Sequence, residues 1–482
     1  MANFNFKVSV DGIANLVTKL STLATADNAV QFSVGFKDNG KGLFSQAVIA
    51  NGGQQLTVGF VTDGVPAGYE SGNALRFAVR AKQLCDYLNQ LLSLESDFSF
   101  ALKEEKALVI TAGSTAKVSL PLVSEAVAQI ADDSKSAHTM AEVKTADLLS
   151  VLKRGGYAAK KEADELRRLD RVVLQFAKGV AECLSTDGFR IVQAKKESKC
   201  AFNEQMLALS FFKPDERAGY VQKVQSGELS EADFFAAAKK NGYVPSIAKL
   251  ALSSEAVGTL LKVLAGGVEQ TSIKVTAQKL HVTCGNVKLL LVLAGEVPGA
   301  AASAVAQFDK IGWERIAVDR GALCNALNIV GLSCTDGFKT PVRLFVKKGY
   351  LLVADDSGNN QVKVATVEGS SEVAVGMEAP MNLSYFSTAV SKFGGNVVLG
   401  FTDSQNQPLL VSDGSVTGDA VTAKAFILKV KLAVPDEAEP AEPNKGTPKK
   451  EKAPAKAEPA DEEEASVPTE AFSNLEEEAV DM

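Results

Sequence analysis

Arg76-Phe-Ala-Val-Arg-Ala-Lys-Gln-Leu-Cys-Asp-Tyr-Leu-Asn-Gln-Leu-Leu92, followed by Phe98-Ser-Phe-Ala-Leu-Lys-Glu-Glu-Lys-Ala-Leu-Val-Ile110, is the stretch on which the fold turns. It opens on a short extended apolar step. Leu84, Leu88, Leu91 and Leu92 then recur at helical spacing on one face, and from Phe98 apolar residues alternate with polar ones. The period changes from 3.6 to 2.0, which reads as a strand, an amphipathic helix and then sheet.

The same unit returns along the chain. Lys249-Leu-Ala-Leu-Ser-Ser-Glu-Ala-Val257 leads to a helix carrying Val257, Leu260, Leu261 and Leu264, then to strands at Ile273 to Val275 and Leu280 to Val282. Pro380-Met-Asn-Leu-Ser-Tyr385 leads to Phe386, Val390 and Phe393, then to Val397 to Phe401. Weaker copies place helices near Ile13 to Leu20, Leu148 to Leu152 and Leu323 to Val330. Six repeats of one small unit set the architecture. The landmarks Val79, Leu252 and Leu383 are 173 and 131 residues apart, so the middle block carries an insertion. The expectation is an α+β chain of three domains, each built from two units.

Composition fits globular cores, with 46% hydrophobic and 23% charged residues. The longest apolar run, Leu289 to Gly295, falls well short of the roughly 18 residues that span a membrane. The N-terminus lacks the basic and apolar segments of a secretory signal, which makes the cytoplasm the expected location. Six cysteines show no Cys-x-x-Cys spacing and read as reduced thiols. Two histidines, His138 and His281, leave little for a metal centre or a catalytic triad, so neither a metal nor a cofactor is expected.

Charge is unevenly placed. From Val434 onward lie 15 acidic and 5 basic residues with seven prolines, the composition of a disordered acidic Pro/Ala/Glu-rich tail at 433–482. The remaining 46 basic and 43 acidic residues give the body a net charge of +3. Its cations gather on or beside the expected helices: Lys19 in the first, Arg80 and Lys82 opening the second, Lys153, Arg154, Lys160 and Lys161 around the third. Lys262 lies in the fourth, Arg320 opens the fifth and Lys392 ends the sixth. One such helix is an ordinary solvated face. Six of them arranged about one centre would make a weakly basic lining suited to a polyanion held without sequence readout.

Several motifs then carry a family resemblance. Leu169 through Val173-Leu-Gln-Phe-Ala-Lys-Gly179 to Thr186-Asp187-Gly188-Phe189-Arg190-Ile191 resembles the central domain of the DNA polymerase III beta sliding clamp family, with its hairpin before Thr-Asp-Gly-His-Arg-Leu. Leu293-Ala-Gly-Glu-Val-Pro298 is similar to the end of that domain. Val342-Arg-Leu-Phe-Val346 with Gly349-Tyr-Leu-Leu-Val353, Met381-Asn-Leu-Ser-Tyr385, and Phe401-Thr-Asp-Ser404 with Pro408 resemble the third domain. In order and spacing these cover residues 1 to about 432. The implied domains are 1–135, 139–305 with an insertion at about 200–245, and 312–432.

The resemblance implies a head-to-tail homodimer closed into a six-domain ring around double-stranded DNA, a processivity factor with a loader, a replicative polymerase and other clamp-binding-motif proteins as partners. Val118 and Leu120 on one edge and Leu323 on the other are the implied apolar dimer contacts. A hydrophobic cleft that docks partner peptides is implied at Leu169, Thr186, Gly188, Phe189, Arg190, Ile191 and Val257, together with Leu327, Asn382, Tyr385, Pro408, Phe426, Leu428 and Val430. Arg190, Asn382 and Tyr385 would offer its polar anchors. Phe189 stands where the family has His, Ser253 where Pro is common, and Lys429 at another Pro position. In the insertion, Ser230-Glu-Ala-Asp233 before Phe234 reads as a capped helix.

Two other readings are open. The Thr-Asp-Gly triplets at 62–64, 186–188 and 335–337, with Thr402-Asp403, are carboxylates that a metal-dependent nuclease could use, although Asp-Gly between extended runs is the usual tight turn. A clamp-like scaffold that binds proteins without encircling DNA keeps the fold and drops the ring.

Overall fold

The computed structural model describes residues 5–36, 43–62, 75–94, 97–103, 106–124, 127, 129–164, 166–177, 179–243, 247–266, 268–333, 341–417 and 421–430. Cys334, the 335–337 triplet, Asp63, Gly64 and the acidic tail lie outside these residues. Ten helices are described: α1 (Val10–Leu20), α2 (Ala81–Leu92), α3 (Thr145–Gly155), α4 (Glu204–Leu209), α5 (Pro214–Ser226), α6 (Glu231–Lys240), α7 (Ser254–Leu264), α8 (Ala300–Phe308), α9 (Arg320–Gly331) and α10 (Leu383–Ser391).

Six copies of strand, helix and three strands follow one another, as the periodicity requires. In four of the six copies a polar side chain at the strand's end caps the helix that follows; Arg80 and Lys144, before α2 and α3, make no such bond. Ser9 accepts from the Gly12 amide at 3.2 Å, Ser253 from Ala256 at 3.1 Å, Asp319 from Ala322 at 2.7 Å and Asn382 from Tyr385 at 3.1 Å. Each such cap satisfies an amide the helix leaves unpaired and contributes about 1 kcal/mol. Ser253 therefore starts α7.

The copies exchange their first strands in pairs, always antiparallel. Asn5–Val8 joins the second copy's Phe98–Lys103, while Leu75–Arg80 joins the first copy's Ala29–Phe36. Thr139–Lys144 and Ile247–Ser253 make the same exchange with Gln270–Val275 and Arg171–Ala177. Glu314–Asp319 and Glu378–Asn382 make it with Asn396–Phe401 and Pro341–Lys347. The helices pack in the matching pairs α1 with α2, α3 with α7, and α9 with α10. Exchange puts both copies of a pair into one hydrophobic core.

The chain forms two compact units, one holding residues 1–187, 191–301 and 422–424, the other 188–190, 302–421 and 425–482. In the first unit Gln54–Gly59 pairs with Val287–Val292, fusing two exchanged pairs into a nine-stranded sheet. Its core includes Phe6 stacked on Phe100 at 5.0 Å and Phe32 on Phe77 at 5.1 Å. Burying such a ring stabilises by about 1.5–3 kcal/mol. The second unit holds the remaining pair, with the sheet Gln361–Ala365, Tyr350–Asp355, Pro341–Lys347, Glu378–Asn382 on one side. Leu409–Ser412 continues from Asn396–Phe401 on the other.

The insertion holds three helices, α4 to α6, where one was read. Ser230 does cap α6, accepting from the Asp233 amide at 3.1 Å. Pro214 at the start of α5 was the sequence signal for another. Phe212 lies between Tyr220 at 4.1 Å and Phe234 at 5.6 Å, so the insertion has an aromatic core of its own. Its entry strand, Lys199–Phe202, pairs with Thr139–Lys144, and the Asn203 amide donates to the carbonyl of buried His138 at 2.6 Å.

Candidate functional site

Strand Val180–Thr186 is held in the first unit by α3. A β carbon on Gly155 would stand 2.5 Å from the Cys183 carbonyl oxygen, so only glycine permits this approach. The Ser185 hydroxyl donates to the Gly155 carbonyl at 2.6 Å and accepts from the Ala158 amide at 3.1 Å. After Asp187 the chain turns at Gly188, whose φ of +90° is a conformation that side-chain-bearing residues rarely adopt. The Asp-Gly pair here is thus a turn, and Phe189 and Arg190 follow it.

In the second unit these residues meet α10. The Phe189 ring lies 6.0 Å from that of Tyr385 at an interplanar angle of 25°, and the Arg190 guanidinium carbon sits 4.5 Å above the Tyr385 ring. Tyr385 is on the first turn of α10, set by the Asn382 cap. Leu428 donates its amide to the Phe189 carbonyl at 2.9 Å, and Val430 donates to the Pro380 carbonyl at 2.9 Å. Lys429 donates its ammonium to the carbonyls of Ser404 at 2.8 Å and Thr402 at 3.3 Å. Burial lowers its pKa, with Asp403 opposing. Phe189, Arg190, Tyr385, Leu428 and Val430 are all half-buried, giving an aromatic and aliphatic surface crossed by one guanidinium. Such a surface suits apolar side chains flanked by carboxylates.

The other sequence-selected cleft residues divide. Leu327, Phe426 and Pro408 are buried in the second unit, and Phe426 packs on Phe308 at 5.1 Å as part of its core. Asn382 accepts its capping bond with the side-chain oxygen, so that atom serves the helix. In the first unit Thr186, Ile191 and Val257 are buried, while Leu169 is half-buried and its carbonyl accepts from the Lys160 amide at 2.8 Å.

The basic residues divide as well. Lys82, Lys153, Lys161 and Lys262 are exposed. Arg80, Arg154, Lys160, Arg320 and Lys392 are half-buried; Arg80 donates to the Asp27 carbonyl at 2.7 Å, Arg154 to the Thr422 hydroxyl at 2.9 Å, and Lys160 pairs with Asp164 at 3.3 Å. Lys19 must be corrected. It is 5% exposed, and its ammonium donates to the carbonyls of Lys262 at 3.4 Å, Val263 at 2.8 Å and Ala265 at 2.5 Å. A lysine carries three donors, and here all three close the C-terminus of α7, where the helix dipole favours a cation. Desolvation lowers its pKa, with Cys284 opposing.

The three expected dimer contacts divide too. Leu120 is 1% exposed and Leu323 0%, both in cores, while Val118 is half-buried on Ala116–Pro121, the terminal strand of its sheet. At the end of α9, Ile329 and Leu332 are 54% and 89% exposed. The sequence signal for them was their position off the buried stripe of Leu323, Leu327 and Val330.

Among the described residues no group of three His, Cys, Asp or Glu side chains could hold a metal ion. Cys85, Cys183, Cys200 and Cys324 are free thiols whose pKa burial pushes up, leaving no reactive thiolate among them at neutral pH. No described helix is long and apolar enough to cross a membrane.

No protein-family model and no curated protein sequence matches the chain. Solved structures do. The DNA polymerase III beta subunit of Thermotoga maritima is 15% identical with a TM-score of 0.65. The sliding clamp of Pseudomonas aeruginosa bound to griselimycin is 14% identical at 0.63, and the Helicobacter pylori beta clamp bound to a DNA ligase peptide is 12% identical at 0.63. In each case 89% of this chain covers 100% of the other. Six strand–helix–three-strand copies joined in three exchanged pairs thus give this chain the fold of the DNA polymerase III beta subunit, the sliding clamp.

Proposed function

We propose that this protein is a DNA polymerase processivity factor: a head-to-tail homodimer that closes around duplex DNA and tethers partner proteins through the surface at Phe189, Arg190 and Tyr385. The observation that carries this reading is the likeness to sliding clamps over their whole length at 12–15% identity. A ring retains DNA by topology, so it needs modest positive charge and no base-reading side chains. A body of net +3 with exposed Lys82, Lys153, Lys161 and Lys262 on or beside its helices meets that need. The domains are 1–135, 139–305 and 312–432, and the role is binding rather than catalysis, in the cytoplasm. Its partners are the replicative polymerase, the clamp loader and other proteins with clamp-binding motifs, as the ligase peptide on the Helicobacter pylori clamp illustrates.

The repeat supports ring closure. Gln54–Gly59 and Val287–Val292, the last strands of two copies, pair to join neighbouring domains. Ala116–Pro121 and Gln361–Ala365 are likewise last strands of their copies, and each ends its sheet. By the same rule they pair between two copies of the chain, with Val118, Ile329 and Leu332 beside the seam. Such a heterologous contact must close or it makes fibres.

Retention on nicked circular DNA after loading, with release when the circle is cut, tests the proposal. Equal loss from circular and linear DNA would instead favour the protein scaffold that never encircles the duplex.

A further inference from the structure

The acidic tail has an internal structure of composition that a mere solubilising segment would not need. From Pro435 to Ser466 no Val, Leu, Ile, Met, Phe, Tyr or Trp occurs, and then Val467, Phe472, Leu475, Val480 and Met482 fall within 16 residues. The same stretch carries Glu470, Glu476, Glu477, Glu478 and Asp481, and no basic residue follows Lys456. A polar, Pro-rich spacer followed by apolar anchors among carboxylates is the pattern of a short docking peptide on a tether.

The described chain ends where such a peptide would bind. Leu428 and Val430 are anchored by backbone hydrogen bonds to Phe189 and Pro380, so the tail departs beside the Arg190–Tyr385 surface. The surface is chemically complementary to the tip: half-buried rings of Phe189 and Tyr385 for Phe472 and Leu475, and the charges of Arg190 and Lys429 for the glutamates. Asp403 beside Lys429 offsets part of that charge. Phe472 lies 42 residues beyond Val430. A chain of that length following random-coil statistics would have a root-mean-square reach of roughly 35 Å and would hold its end at an effective concentration on the order of millimolar.

We propose that residues 466–482 dock on this chain's own Phe189–Arg190–Tyr385 surface and compete there with partner peptides, an inference that rests on that surface being the partner site. Screening of a DNA-lined face would need the tail's charge alone and leaves the concentration of apolar residues at its tip without a role.

The test uses the full chain and two labelled probes followed by fluorescence anisotropy: a peptide of residues 466–482 and a Gln-Leu-Ser-Leu-Phe peptide. Doubly substituting Phe472→Ala and Leu475→Ala empties the surface of its resident tail. Both probes should then bind about tenfold more tightly than to wild type, as expected for removing a millimolar competitor with a dissociation constant near 0.1 mM. Adding Tyr385→Ala, or Arg190→Glu in case that variant fails to fold, should abolish the gain. If wild type and the double variant bind both probes alike, tail docking is wrong. The site reading survives that result provided Tyr385→Ala or Arg190→Glu still weakens the Gln-Leu-Ser-Leu-Phe probe. If neither site variant weakens it, the partner-site reading falls too.

Discussion

Lys19 shows how one side chain can be misread from its neighbours in sequence. It lies on an amphipathic helix, yet its ammonium closes the end of α7, with the Lys262 carbonyl 243 residues away. Lys19→Met should leave those carbonyls unsatisfied and lower the unfolding free energy by about 2 kcal/mol in urea titrations. Lys262→Ala, on an exposed cation, should change stability by less than about 0.5 kcal/mol. His138 supplies a pH dependence. Desolvation first, and the Arg217 guanidinium second, lower its pKa to about 4, so it stays neutral in the folded chain while the unfolded chain protonates it below its ordinary value of 6.5. Stability is therefore fully present above pH 6.5 and falls as the pH drops toward 4. By pH 5 the loss from this group should be about 2 kcal/mol, and His138→Leu should remove that part of the slope between pH 7.5 and 5.

Elements meet at two places where a small change should have a large effect. Gly155 lets α3 lie against Val180–Thr186, and Gly155→Ala must push that strand away from a contact of 2.5 Å. A loss of about 2–3 kcal/mol in thermal melts is expected, with weaker peptide binding because Phe189 and Arg190 follow directly from that strand. At the end of α9, Ile329→Asp with Leu332→Asp puts charge where two copies are proposed to meet. The mass by light scattering should fall to that of a monomer while the melting temperature stays nearly constant, since both side chains are largely exposed. A dimer persisting at micromolar concentration would exclude this edge from the interface. The six repeat helices were legible, because a buried stripe lies within about a dozen residues; α4, α5 and α8 were not. The exposed pair on α9 was legible in principle as apolar residues off that stripe. Leu323, on the stripe, lies in the core.

For the whole molecule, topology and charge make different claims on DNA. A closed ring should stay on a nicked circle with little change between 50 and 200 mM salt. Direct binding to a short linear duplex, which depends on counterion release, should weaken steeply over the same range. Parallel loss from both would mean that charge alone holds the protein. Sequence alone determined the repeating unit, the α+β class, the place of the insertion and the composition of the tail, because periodicity, caps and composition are local properties. Tertiary structure alone decided which copies exchange strands, that Lys19 faces inward and Ile329 outward, and that the Arg190 guanidinium lies over the Tyr385 ring. Those outcomes depend on contacts between residues as much as 200 or more positions apart, whose burial no local window can register.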